Sequence, residues 1–142
     1  MNANELRINN LVAINNELLL ETKGEIYKVS GINLRFESMF PDSKSVIFLD
    51  HTKSIRTYSQ FDEFIEPIPL TEDWLLKMGF VYRGIYYHFP NHDIFKLEQY
   101  KNKNAYWLRH ASESLDSVRI NHVHTLQNLY FSLTGEELQL TN

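Results

Sequence analysis

Five of the six histidines fall between His88 and His124, and imidazole is the side chain suited both to metal ligation and to proton transfer near neutral pH. His88, His92 and Asp93 form an H-x3-H-D string, and His122 and His124 follow later in the chain. Imidazole with carboxylate would suit zinc, manganese or iron. The spacing works against such a site. An i, i+4 pair shares a face only on a helix, and Pro90 stands between these two histidines in a stretch that reads as strand and loop. His122 and His124 are at i, i+2, which converges on a strand but diverges on a helix, and they stand where a helix begins. Surface and helix-start histidines are the plainer reading. His88, His92 and Asp93 remain metal candidates, and no cofactor is implied.

A hydrolase would need a nucleophile beside a base. Ser112, Ser114 and Ser117 lie near His110 and Asp116, but no Gly-x-Ser-x-Gly elbow is present and the run reads as a polar loop. The five glycines are scattered singly at turns, so neither a phosphate-binding loop nor a dinucleotide fingerprint exists. The absence of cysteine excludes disulfides, thiolate zinc sites, iron–sulfur clusters and a cysteine nucleophile.

The third constellation is a surface. Residues 94–100 and 105–110 alternate apolar and polar side chains, the mark of half-buried strands. With Phe95, Leu97, Tyr106, Leu108, Val118 and Ile120 turned toward helices, pleating sends Lys96, Glu98, Tyr100, Trp107, Arg109 and Arg119 to the opposite side. That face is aromatic and partly basic. Tryptophan, tyrosine and arginine dominate interaction hot spots and also stack single-stranded bases. Lys96, Tyr100, Trp107, Arg109 and Arg119 are therefore the candidate binding residues. Three occupants compete for the face: the N-terminal half of this chain, burying Trp107 at a junction; a protein partner of unknown identity; and nucleic acid. Glu98 and the net charge count against the last.

The elements that must carry this face follow from turn residues and periodicity. Strands are expected at residues 8–14, 17–22, 25–30, 32–36, 45–49 and 54–58, with a loop at 37–44 around Pro41-Asp42-Ser43. So many short strands between tight turns predict a small curled antiparallel sheet or SH3-like barrel. Pro67 and Pro69, one residue apart, prevent both a helix and a central strand. The boundary belongs there, giving a β-barrel-like part at 1–66 and an α+β part at 67–142. Thr71 is a helix N-cap, Glu72 and Asp73 complement the helix dipole, and Trp74, Leu75 and Met78 form one apolar face before Gly79. A hairpin turning at Arg83-Gly84, a meander through residues 94–100, 105–110 and 118–120, and a helix at 122–133 stopped by Gly135 complete the α+β class. Each half is near the size at which a lone core is marginal, so the halves are expected to pack together.

The 142 residues carry 14 Lys and Arg against 18 Asp and Glu, a net charge of −4, which argues against a dedicated basic nucleic-acid module while leaving room for a local basic patch. With 43% hydrophobic and 13% aromatic residues the chain can bury a core. The N-terminal stretch lacks a secretory apolar region, and runs such as Val46 to Leu49 fall far short of the roughly 20 residues that span a bilayer. A cytoplasmic protein with no membrane contact is expected.

Three stretches together carry a resemblance: Asn4-Glu5-Leu6-Arg7-Ile8 with Asn10-Leu11-Val12; Pro67-Ile68-Pro69-Leu70-Thr71-Glu72 with Trp74-Leu75; and His124 with Leu126-Gln127-Asn128-Leu129-Tyr130-Phe131 and Leu133-Thr134-Gly135-Glu136-Glu137-Leu138. The chain resembles a family of small uncharacterised proteins encoded by bacteriophages and integrated mobile elements of Bacteroidetes. The resemblance implies a setting, the cytoplasm of a bacterial host, and transfers no functional residue. The expectation is a non-enzymatic accessory protein that binds a host or phage macromolecule. An SH3-like nucleic-acid-binding module is the alternative, and a metal-dependent hydrolase using His88, His92 and Asp93 comes third. A homodimer would also cover exposed aromatics.

Overall fold

The computed structural model describes residues 1–33, 44–101, 105–111 and 113–141, with the side chains of 113–117 outside the description. The fold is α+β and comprises two compact units, Met1–Ile68 and Pro69–Asn142. Among the described residues no helix is long and apolar enough to cross a membrane.

The first unit is a curled antiparallel sheet of β1 (Leu11–Ile14), β2 (Ile26–Asn33), β3 (Val46–His51), β4 (Thr57–Phe61) and β5 (Ile65–Glu66). Its order is β4-β3-β2-β1-β5. A 3-10 turn at Asp62–Phe64 swings β5 back to pair with β1, which curls the sheet into a half-barrel. Inward alternation supplies the core: Val12, Ile14, Tyr27, Val29, Ile47, Leu49 and Ile65 are buried, joined by Ala3 and Leu6 from the N-terminal turn.

Several expected strands in this half are shorter or absent, each for a local reason. β1 starts at Leu11 instead of residue 8, because Asn9 adopts a left-handed φ of 73° and the Asn10 N–H donates to the Arg7 carbonyl at 3.1 Å. Residues 17–22 form no strand. The Asn16 side chain accepts from the Leu18 N–H, and the Thr22 hydroxyl donates to the Leu19 carbonyl, so polar side chains satisfy the backbone locally and close a 3-10 turn at Leu20–Thr22. Leu18 and Leu20 are left 89% and 78% exposed. The expected break at Gly31 is a bulge inside one continuous strand. A Cβ on Gly31 would stand 3.0 Å from the Phe48 ring, so a larger residue there would have to push that ring aside. Residues 52–55 make the β3–β4 turn, closed by the His51 N–H donating to the Arg56 carbonyl, and β4 begins only at Thr57. The expected continuation over 34–36 and the loop at 37–43 lie outside the described residues.

The second unit places α1 (Glu72–Lys77) before a five-stranded meander and α2 (Val123–Thr134) after it. Thr71 holds the N-cap position through its backbone, with no capping bond from its side chain. Gly79, with φ of 83°, ends the turn and lets the chain enter β6. The strands are β6 (Val81–Arg83), β7 (Tyr86–Phe89), β8 (His92–Gln99), β9 (Tyr106–His110) and β10 (Glu113–Ile120), in the order β10-β9-β8-β7-β6. The stretch expected as a polar serine loop is largely strand: Glu113 and Ser114 pair with His110 and Arg109 before the register shifts. Ser112 lies outside the described residues.

The inner face of this sheet is apolar. Tyr87, Phe89, Leu97, Tyr106, Leu108 and Ile120 are buried. Phe89 stacks on Tyr130 of α2 with ring centroids 5.5 Å apart, and the Tyr130 hydroxyl donates to the Pro90 carbonyl at 3.0 Å. The Tyr87 hydroxyl donates to Glu72 of α1 at 2.8 Å. Gly135, with φ of 74°, ends α2 through an N–H bond to the Phe131 carbonyl.

Candidate binding face

Because side chains alternate along each strand, the register of β6–β10 determines which residues share the outer face. Arg83 is opposite Tyr86, Tyr86 opposite Glu98, Glu98 opposite Trp107, and Trp107 opposite Arg119. One row thus crosses all five strands as Arg-Tyr-Glu-Trp-Arg. A second row, Val81, His88, Lys96 and Arg109, runs beside it. At about 4.8 Å per strand step the first row is roughly 19 Å long and the second roughly 14 Å.

The side chains on this face are held by one another. Glu98 accepts from the Arg109 Nε at 2.6 Å and also meets its Nη2, a fork with side-chain exposures of 31% and 21%. Lys96 Nζ lies 4.2 Å from the centroid of the Tyr86 ring. Tyr100 meets Trp107 edge to face at 6.2 Å, and Lys101 Nζ lies 5.6 Å from the Tyr100 ring. The Arg119 Nε donates to Asn121 at 3.1 Å. Glu98, Tyr100, Lys101, Trp107 and Arg109 line a groove of ≈ 360 Å³ with Gln99.

All five candidate residues, Lys96, Tyr100, Trp107, Arg109 and Arg119, therefore belong to one sheet face or its groove. Arg83 and Tyr86 belong to the same row and escaped the sequence reading, in which Arg83 was part of a turn. The period-2 spacing of Tyr86 and His88 carried the available signal; their pairing with β8 did not show in it.

The histidines are separated. His88 pairs with Lys96 on the outer face, whereas His92 pairs with Phe89, because the β7–β8 register shifts between His88 and Phe89. The His92 ring meets Tyr130 edge-on, and its Nε2 is 3.2 Å from Glu136. Asp93 is exposed. His122 and His124 do come together, with rings stacked 5.7 Å apart and inclined by 19°. The divergence expected on a helix does not occur, since His122 holds the N-cap position with extended φ and ψ of −133° and 152°. Among the described residues no group of three His, Cys, Asp or Glu side chains is arranged to hold a metal ion. Of the serine cluster, the side chains of Ser114, Asp116 and Ser117 lie outside the description.

One constellation has no counterpart in the sequence reading. Glu25 Oε2 lies 3.0 Å from His51 Nε2, and His51 Nδ1 lies 2.9 Å from the Ser54 hydroxyl. These are the groups of a serine–histidine–carboxylate relay, with the bonding of a turn. The Lys53 N–H donates to the same Nδ1 at 3.1 Å, and the Ser54 oxygen accepts from the Arg56 Nε at 3.3 Å. His51 is buried edge-on against Tyr27, so the network locks the β3–β4 hairpin to the start of β2.

Burial raises the pKa of Tyr87, and the hydrogen bond to Glu72 adds to it. Tyr27, Tyr106 and Tyr130 are raised for the same first reason, loss of water around the phenolate. These phenols stay neutral and serve packing. Comparison with protein-family models, curated proteins and solved structures finds no match.

Proposed function

We propose that this chain is a non-catalytic binding protein, an accessory factor of a bacteriophage or mobile element, whose working surface is the outer face of β6–β10. The observation that carries this reading is the row Arg83, Tyr86, Glu98, Trp107, Arg119 with its neighbour Lys96. A sheet that needs its outer face only for solubility is served by small and mixed polar groups. Here two large aromatics and three arginines or lysines stand in register instead, the residue types whose burial supplies most binding energy at interfaces. The phage or mobile-element setting rests on the family resemblance.

The test is retention from a host-cell lysate by the tagged full chain, compared with the variant Arg83→Glu/Arg119→Glu and with Lys77→Gln on α1, each checked for an unchanged melting temperature. Material held by the parent and Lys77→Gln but lost from the double variant supports the face as the working surface. Equal retention by all three removes it.

A further inference from the structure

We infer that the outer face of β6–β10 takes single-stranded nucleic acid, its bases stacking on Trp107 and Tyr100 and its phosphates meeting Arg83, Lys96, Lys101 and Arg119. This deepens the binding reading above by naming the partner's chemistry. The reason is charge complementarity confined to one face. The protein as a whole carries −4, yet among the described residues Arg83, Lys96, Lys101, Arg109 and Arg119 share this face or its groove with a single carboxylate, Glu98.

That carboxylate is already engaged by the forked bond to Arg109, so the charge that counted against nucleic acid in the sequence is matched locally. What remains on the face and its groove is Arg83, Lys96, Lys101 and Arg119 with the rings of Tyr86, Tyr100 and Trp107. A polyanion answers the cations, and only a polyanion with unstacked planar groups also answers the rings. Tyr100 is 42% exposed and Trp107 lines the same groove. Duplex DNA or RNA hides its base faces and would meet the cations alone.

The probe is a labelled oligothymidylate of roughly twelve nucleotides, titrated with the full chain at low salt and followed by anisotropy and tryptophan fluorescence. Binding is expected with quenching that is lost in Trp107→Phe and kept in Trp74→Phe. With three to four phosphates engaged, the logarithm of the affinity should fall against the logarithm of salt with a slope of about −2 to −3. Arg83→Glu/Arg119→Glu should weaken binding at least about tenfold, and Lys77→Gln should leave it within about twofold. A duplex of matched length should bind more weakly than the single strand.

No binding by the folded protein at low salt overturns the inference, as does binding indifferent to the double reversal or as tight for the duplex. An acidic peptide that binds and is lost in the double variant, where the oligonucleotide does not bind, keeps the binding face and rejects nucleic acid. Failure of both probes, with lysate retention unchanged by the double variant, rejects the face itself.

Discussion

The two sheets solve the same problem on their inner sides and differ on their outer ones. Both are five-stranded, antiparallel and buried on one face by alternating aliphatic and aromatic side chains. On the outer side of the first sheet, Lys28 stands opposite Asp50 and Asp50 opposite Thr57; beside them Phe48 lies between Gly31 and Ser59. Lys28 and Asp50 offset each other there, and of the two exposed rings among the described residues Phe48 lies between small residues while Phe61, opposite Val46, carries Lys44, itself ion-paired with Glu63. On the outer side of the second, arginine and lysine recur on successive strands with Tyr86 and Trp107 between them. A stable antiparallel sheet therefore does not require the second pattern. Its cost is local repulsion between like charges, offset in part by Glu98, and that cost is the reason to assign the face a partner.

The sharpest way to break the comparison is to attack the shared inner side. Leu97 is fully buried on the central strand of the second sheet, and Leu97→Ala should cost about 3 kcal/mol by lost burial and an unfilled cavity. Its neighbour Lys96 points the other way, and Lys96→Ala should shift stability by no more than about 0.5 kcal/mol. Denaturant unfolding of the two variants measures the contrast. Equal losses would mean that the outer face is itself structural.

Alkaline pH tests the buried phenols of both units together. Tyr27, Tyr87, Tyr106 and Tyr130 have folded-state pKa values raised above the ordinary tyrosine value of 10.0. The native state therefore holds these protons more tightly than the unfolded chain. Their contribution is fully present below pH 10 and is lost as pH rises through the folded values. Melting temperature should fall above about pH 10, with tyrosinate absorbance rising at the unfolding transition instead of before it for these residues.

The inner and outer faces of β8 and β9 were legible because Phe95 and Leu97, and Tyr106 and Leu108, recur at every second position, and period 2 has one structural meaning. α2 was legible from helical spacing and a terminal glycine. The run Leu18-Leu19-Leu20 misled because an unbroken apolar stretch has no period, and side-chain bonds from Asn16 and Thr22 decided its conformation. Gly31 was ambiguous, since glycine marks either a strand end or a bulge, and only the approach of Phe48 distinguishes them. Within the candidate site, the residues were legible strand by strand but the rows were not. That Arg83 and Tyr86 continue the row of Glu98 and Trp107 depends on hydrogen-bond register between strands, a long-range property that spacing along one strand does not contain.

Glu98 offers the finest cut between the structural and binding roles of the second face. Glu98→Gln keeps the shape and one acceptor while removing the charge that Arg109 meets at Glu98. For a pair this partly exposed the loss in stability should be about 1 kcal/mol. The same change removes the one described carboxylate from the face, so affinity for oligothymidylate should rise severalfold and the salt slope should steepen by up to about 0.7. A stability loss with unchanged affinity would confine Glu98 and Arg109 to sheet packing.

The smallest effects separate satisfied from unsatisfied phenols on the inner face. The Tyr130 hydroxyl donates to the Pro90 carbonyl, and Tyr130→Phe should cost about 1 kcal/mol. The Tyr106 hydroxyl is buried with no hydrogen-bond partner among the described residues, so Tyr106→Phe removes an unpaired polar atom and keeps the ring that meets Tyr87 at 5.8 Å. Its stability should be unchanged or higher by up to about 1 kcal/mol. Because Tyr106 and Trp107 are adjacent on β9 and point to opposite faces, Tyr106→Phe should leave oligonucleotide affinity at its parent value. An altered affinity would mean that the inner face is coupled to the binding face, and the division of labour between the two sides of the sheet would have to be abandoned.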